Sequence, residues 1–239
     1  MRGPASVQTP SDGAKPPISD TLVKCDDLFR KREALENLRK AVLLAGQLRD
    51  PDGRNYEVEW KFAKYSFFLG RHATDEAERQ KAFESGKNAA SIAIRLHPEK
   101  PDGHFWFAAN LGELAKMSPI SVGIRSVDDI REAANAVIAI DPGYQAGSAY
   151  DILAQIELGT RLTGGKPEKA IGFLEKAVAI ESSNSNNRID LARAYLAVDR
   201  YAEARQQLEY VIKMEPDPEY LPEHADAVEQ AKTMLATKF

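Results

Sequence analysis

"PEKAIGFLEKAVAIES", residues 167–182, and "YAEARQQLEYVIKMEP", residues 201–216, align without a gap at an offset of 34 residues. Ala170 falls on Ala204, Leu174 on Leu208 and Ala177 on Val211. Steps of four and three place each set on one face of an α-helix. Small residues in that face let a second helix come close. Two copies of one helix at a fixed period mean a chain built from repeated units, each burying its apolar face against its neighbours.

Upstream, "FESGKNAASIAIRLHP" (83–98) and "DDIREAANAVIAIDP" (128–142) carry related Ile/Ala spacing and close on Pro98 and Pro142. Helix breakers recur at helix–turn–helix intervals: "RDPDG", "LHPEKPDG", "IDPGY", "LTGGKP" and "MEPDPEYLP". Pro167 suits a first helical position, and Ser126 with Asp129 reads as a helix N-cap with an acidic partner. Leu35, Leu38, Val42, Ala45 and Leu48 set a helical stripe near the start, and Leu221, Ala225, Val228, Ala231 and Leu235 set one near the end. Period-two alternation is missing. The expected fold is all-α.

The 239 residues are 43% hydrophobic and 28% charged, with a net charge of −4, as in an ordinary globular chain. Charges of both signs are interspersed and no basic tract occurs, which argues against a nucleic-acid partner. The lone Cys25 excludes an intrachain disulfide and a cysteine zinc site, and a buried or half-buried thiol is its simplest reading. No apolar run of about 18 residues is present, so no transmembrane segment is expected. Residues 1–20 hold four prolines and few large apolar side chains, and are expected to be a disordered tether. They contain no apolar core of a secretory signal. The chain is then either cytoplasmic or periplasmic with its signal removed.

The 34-residue period and small–large–small packing resemble the tetratricopeptide repeat (TPR). Units are expected at about 54–98, 101–142, 147–182 and 185–216 in one domain over 21–239. An N-terminal helix over about 20–50 and a C-terminal helix over 221–237 would cap this α-solenoid. A wider resemblance rests on order: "YEVEWKFAKYSFFLG", "FESGKNAASIAIRLHP", "PDGHFWFAANLGELA", "IDPGYQAGSAYDILAQIE", "GGKPEKAIGFLEKA", "NNRIDLARAYLAVDRYAEARQQL" and "PDPEYLPEHADAVEQAKTML". In that order they resemble the T-component family of TRAP transporters, periplasmic TPR-like proteins that accompany a solute-binding protein. The resemblance implies a non-catalytic periplasmic adaptor or ligand-binding protein. Its partner would be a solute-binding protein or an apolar small ligand. The alternative from the residues alone is a cytoplasmic TPR scaffold that binds a peptide or partner protein.

Catalytic patterns fail one by one. His72, His97, His104 and His224 lack metal-ligand spacing, so no metal is expected. "GTRLTGGK" (159–166) lacks the Gly-Lys-Ser/Thr ending and the preceding strand of a phosphate loop. "QAGSAY" lacks the second glycine of a nucleophile elbow. Asp26/Asp27 and Asp128/Asp129 are adjacent pairs suited to helix N-termini rather than to acid/base work. No enzyme activity and no cofactor are expected.

"PEKPDGHFWFAANLGELA" (98–115) then reads as a first helix of a repeat with two faces. Phe105, Ala108, Ala109 and Gly112 take packing positions, with Gly112 allowing a close neighbour, and Phe62 and Phe67 pack likewise. Trp106, Asn110 and Glu113 fall on the face that lines the concave groove. The same register adds Lys61, Tyr65 and Phe68, then Asp151 and Gln155, then Ile189 and Arg193. These ten residues are the expected groove site.

Overall fold

The computed structural model describes residues 17–118 and 124–239. Among the described residues lie eleven α-helices, two 3-10 turns and no strand. In order they are α1 (Ile18–Arg30), α2 (Leu35–Gln47), α3 (Tyr56–His72), α4 (Glu76–Leu96), α5 (Pro101–Met117) and α6 (Ile124–Ile140). They continue with α7 (Tyr144–Gly159), α8 (Pro167–Ile180), α9 (Ser185–Leu196), α10 (Tyr201–Lys213) and α11 (Leu221–Lys238). The starts are set by local chemistry. Asn55, Asp75 and Asn184 each accept a hydrogen bond from a backbone N–H three residues on, and Pro101 and Pro167 open α5 and α8.

Each helix packs on the next, and the odd-numbered helices from α3 to α11 also pack on one another in succession. Successive even-numbered helices make no comparable contact. The odd layer is therefore the tighter, concave side of a TPR-like α-solenoid. The expected repeat face is buried throughout: Ala170, Leu174 and Ala177 on α8, and Ala204, Leu208 and Val211 on α10, are shut off from solvent. Gly86, Ala90 and Ala93 on α4, and Ile130, Ala134 and Val137 on α6, hold the same places two units upstream. Phe62 and Phe105 are core, Phe67 packs against the core's edge, and Cys25 is fully buried with its thiol pushed up to about 11 mainly by burial.

Several expectations need correction. The N-terminal cap is a helical hairpin rather than one helix over about 20–50. Its buried residues explain why. Leu22, Cys25 and Phe29 form one seam, and Leu38, Ala41 and Ala45 another. At about 100° per residue on a straight helix these seams would point to nearly opposite sides. A break at 31–34 turns both inward. Ile18 to Asp20 belong to α1 rather than to the tether, and residues 1–16 lie outside the described residues. Ser126 lies inside α6, so it is no cap, and Asp26 lies well inside α1 rather than at its start. On α11 the buried pair is Ala227 and Ala231, while Leu221 and Ala225 are exposed.

Gly112 was expected to admit a close helix, yet a Cβ there would meet nothing within 4 Å. The close approaches lie elsewhere. A Cβ on Gly86 would overlap the Asn110 amide, one on Gly70 the Phe83 ring, and one on Gly103 the backbone of Ile94. The start of α7 is also irregular: Gln145, Ala146 and Gly147 take φ of 49°, 56° and 73°, so the regular helix begins after Gly147.

Candidate functional site

The concave layer is laced by polar side chains that reach from one odd helix to the next. At its first step Lys61 of α3 bonds Asp26 of α1 and Glu57, each at 2.8 Å, and the Tyr65 hydroxyl donates to Asp26 at 2.6 Å. Burial disfavours the Lys61 charge, but these carboxylates outweigh it and hold its pKa above the usual value. At the second step Arg71 of α3 meets Glu113 of α5 at 3.4 Å, and Lys116 meets the same carboxylate at 2.9 Å. Further on, Gln155 of α7 donates to Asp151 at 2.5 Å and lies 3.5 Å from Asp190 of α9. Arg193 then bonds Asp190 at 2.5 Å and Gln230 of α11 at 2.7 Å.

Asp151 is a strongly perturbed carboxyl of the ladder. Its pKa is raised well above 3.8, by burial first and then by the Asp190 charge beside it. Near the N-terminal ends of the same helices, Asp102 of α5 accepts the hydroxyls of Tyr56 and Tyr144 at 2.7 and 2.8 Å, tying α3, α5 and α7 together.

The ten expected groove residues divide. Lys61, Glu113, Gln155 and Arg193 belong to the ladder with Asp151, and Phe68 is half-buried beside it. Tyr65, Trp106, Asn110 and Ile189 do not line an open surface, because they are sealed between helices. Trp106 packs among Phe67, Phe68 and Phe105, with centroids 4.9 to 6.2 Å away. Asn110 donates to the carbonyls of Ala63 at 3.2 Å and Trp106 at 2.7 Å, so its amide staples α5 to α3. The odd helices are squeezed on three sides, and only a narrow strip of each reaches solvent. Arg71, Lys116, Asp190 and Gln230 were missed. Three of them sit three residues from an expected site residue: Phe68 to Arg71, Glu113 to Lys116 and Asp190 to Arg193. That i,i+3 neighbourhood was the available signal.

Two open clefts flank this layer. One of about 470 Å³ lies between α9 and α11 and is lined by residues including Arg193, Leu196, Gln230 and Met234. The other, about 330 Å³, lies where α4 meets α5 and includes Glu84, Lys87, Leu111 and Met117. No helix of the described residues is long and apolar enough to cross a membrane.

The helix order, the buried repeat face and the polar concave strip define a TPR-type protein, the class whose members bind partner proteins. A tetratricopeptide-repeat model matches residues 162–222. The chain belongs to the family described as regulator of microtubule dynamics protein 1-3, whose model matches residues 21–149, more than half of the sequence. A curated relative, regulator of microtubule dynamics protein 3 of Bos taurus, is 28% identical over 145 residues. That match takes in 56% of this chain and 29% of the bovine protein's length. Among solved structures, a thermophilic TPR protein of Thermus thermophilus is similar with a TM-score of 0.66 at 18% identity, covering 91% of this chain and 98% of that one. MamA of Desulfovibrio magneticus RS-1 follows at 0.52 and 14%, covering 90% and 97%. At these identities the likeness shows the fold. None of these matches is a TRAP T-component.

Proposed function

We propose that this chain is a non-catalytic scaffold that takes a partner protein along its concave face. The observation that carries the reading is the polar ladder across α1, α3, α5, α7, α9 and α11. Arg71, Lys116 and Arg193 keep about half of their side chains in solvent there, while the aromatic bodies are used up in packing. Recognition would then come from charge and hydrogen bonds along an extended segment rather than from an apolar cavity.

The family supports a partner in the microtubule system. The test is microtubule growth and shrinkage with the purified chain added, wild type against Arg71→Glu/Lys116→Glu. A change in the rates that the variant loses supports both the partner and the face. A change that both proteins make equally moves the binding face elsewhere. No change with either removes the microtubule partner. The periplasmic TRAP-associated reading is supported by the order of the quoted segments alone. Fractionation of the native organism decides it, since a cytoplasmic product would end that reading.

A further inference from the structure

The last helix has two apolar faces. Glu223 in its first turn ties it to the body of the array through a two-pronged ion pair with Arg32, in the turn after α1 and 191 positions away, both N–H···O distances being 2.6 Å. Ala227 and Ala231 are its buried residues, and Gln230 and Met234 line the cleft toward α9. A different set recurs at steps of four and three: Leu221, Ala225, Val228, Lys232, Leu235 and Phe239. At about 100° per residue these fall within an arc of about 80°, on the side of α11 away from Gln230. Leu221 is 52% exposed and Phe239 40%, Ala225 and Lys232 are exposed, and Val228 and Leu235 are half-buried.

The repeat pattern leaves this side of α11 open. Each of α3, α5, α7 and α9 packs on the even-numbered helix that follows it, whereas α11 packs on α9 and α10, both before it. The strip continues onto α10, where Tyr201 is 48% exposed and stands 6.2 Å from the Phe239 ring, with the Arg205 guanidinium 4.5 Å from that ring. The stripe is complementary to itself. In an antiparallel pair of α11 helices, with a two-fold axis midway between Val228 and Lys232, Leu235 comes opposite Ala225, a large residue against a small one. Phe239 comes opposite Leu221 at either end. Lys232 comes opposite Val228 and next to Glu229 of the second copy. Glu229 and Lys232 are both exposed, and among the described residues neither takes an ion pair within the chain. A parallel pair would instead set Lys232 on Lys232.

We propose that α11 pairs antiparallel with α11 of a second copy of this chain, through the stripe from Leu221 to Phe239 and reciprocal Glu229–Lys232 pairs. A two-fold contact makes every interaction twice, so each dimer gains two such pairs. The apolar edges supply attraction, and the charges fix direction and register. One helix pair widened by Tyr201 is a small interface, which belongs with weak, concentration-dependent association. Gln230 and its partner Arg193 lie on the other side of α11, so both concave faces stay open and a dimer offers two of them. The pairing stands independently of the concave-face reading.

The full chain is followed by sedimentation equilibrium from low to high micromolar concentration, at low salt, where exposed charges act most strongly. The mass of wild type should rise from one chain toward two. Glu229→Lys and Lys232→Glu should each stay at one chain over the same range, because each sets like charges against one another in the pair. Mixed in equal amounts, the two variants should associate again, since one then carries only cations and the other only carboxylates at these positions. The double reversal Glu229→Lys/Lys232→Glu in one chain should associate like wild type. Ala225→Arg, which sets a long cation opposite Leu235 of the second copy, should abolish association. All three positions are exposed, so the variants keep the fold, checked by circular dichroism. A wild type that stays at one chain throughout overturns the proposal. So does association that survives either single reversal or Ala225→Arg, and so does a mixture of the two reversals that fails to associate.

Discussion

Asp151 shows how a single carboxyl sets a pH dependence for the whole array. Its Oδ1 is buried without a hydrogen-bond partner and its Oδ2 accepts from Gln155. Burial and the neighbouring Asp190 raise its folded pKa, against the opposing Gln155 hydrogen bond and Lys116 charge. A carboxyl whose pKa rises on folding stabilises most below its unfolded value, here 3.8, and loses that contribution as pH climbs through the folded value. Asp151→Asn keeps the shape without the charge. The variant should melt higher than wild type at pH 7 and match it near pH 3, read by thermal denaturation across pH. Glycines give a paired prediction. Gly112→Ala places a methyl in open space on α5 and should gain about 0.5–1 kcal/mol. Gly86→Ala drives a methyl into the Asn110 amide and should cost about 1–3 kcal/mol, both measured by urea denaturation. The sequence register put Gly112 in the packing row and missed Gly86, because helical spacing names a face and not the shape of what it meets.

At the scale of the element, the left-handed start of α7 stands out. Ala146 sits at φ 56° without being glycine, and its carbonyl is held by the Asn187 side chain at 3.1 Å. An L-residue in that region carries a cost of about 1–2 kcal/mol. Ala146→Gly should therefore leave the protein as stable or raise its stability by up to about 1 kcal/mol, a reversal of the usual effect of glycine near a helix. Calorimetry on the two proteins decides it, and a clear loss of stability would mean the strain is not real. Elsewhere the elements were largely legible. Repeat faces, proline starts and the loop before Pro167 all fall where their spacing and turn chemistry put them. The α1–α2 break carries no glycine or proline. It was readable only as a phase jump between two apolar seams, and a search for breakers passes over it.

At the scale of the molecule, the fold followed from the 34-residue period, since each unit must bury its face on the next. The concave site was legible in part. Lys61, Glu113, Gln155 and Arg193 were found by register, but Trp106 and Asn110 were misplaced because the odd helices pack more tightly than an open groove allows. Asp26, Arg32 and Glu223 had no local signal, since their partners lie in distant helices. Charge placement at this scale predicts salt sensitivity. Binding of an acidic segment to the concave face should weaken steadily with added salt, measured by titration from low to physiological ionic strength, whereas an apolar partner would show no such slope.

Arg32, in the turn after α1, forms a two-pronged ion pair with Glu223 in the first turn of α11, 191 positions away, and this contact bears on the order of events in folding. Nearly every other contact of a stacked array joins neighbours and can form early and independently. A bond between the turn after the first helix and the last helix must wait until everything between them is assembled. It should thus be absent from the rate-limiting step. Glu223→Ala should leave the refolding rate almost unchanged and speed unfolding, so the latch governs how long the assembled chain survives rather than how fast it is made.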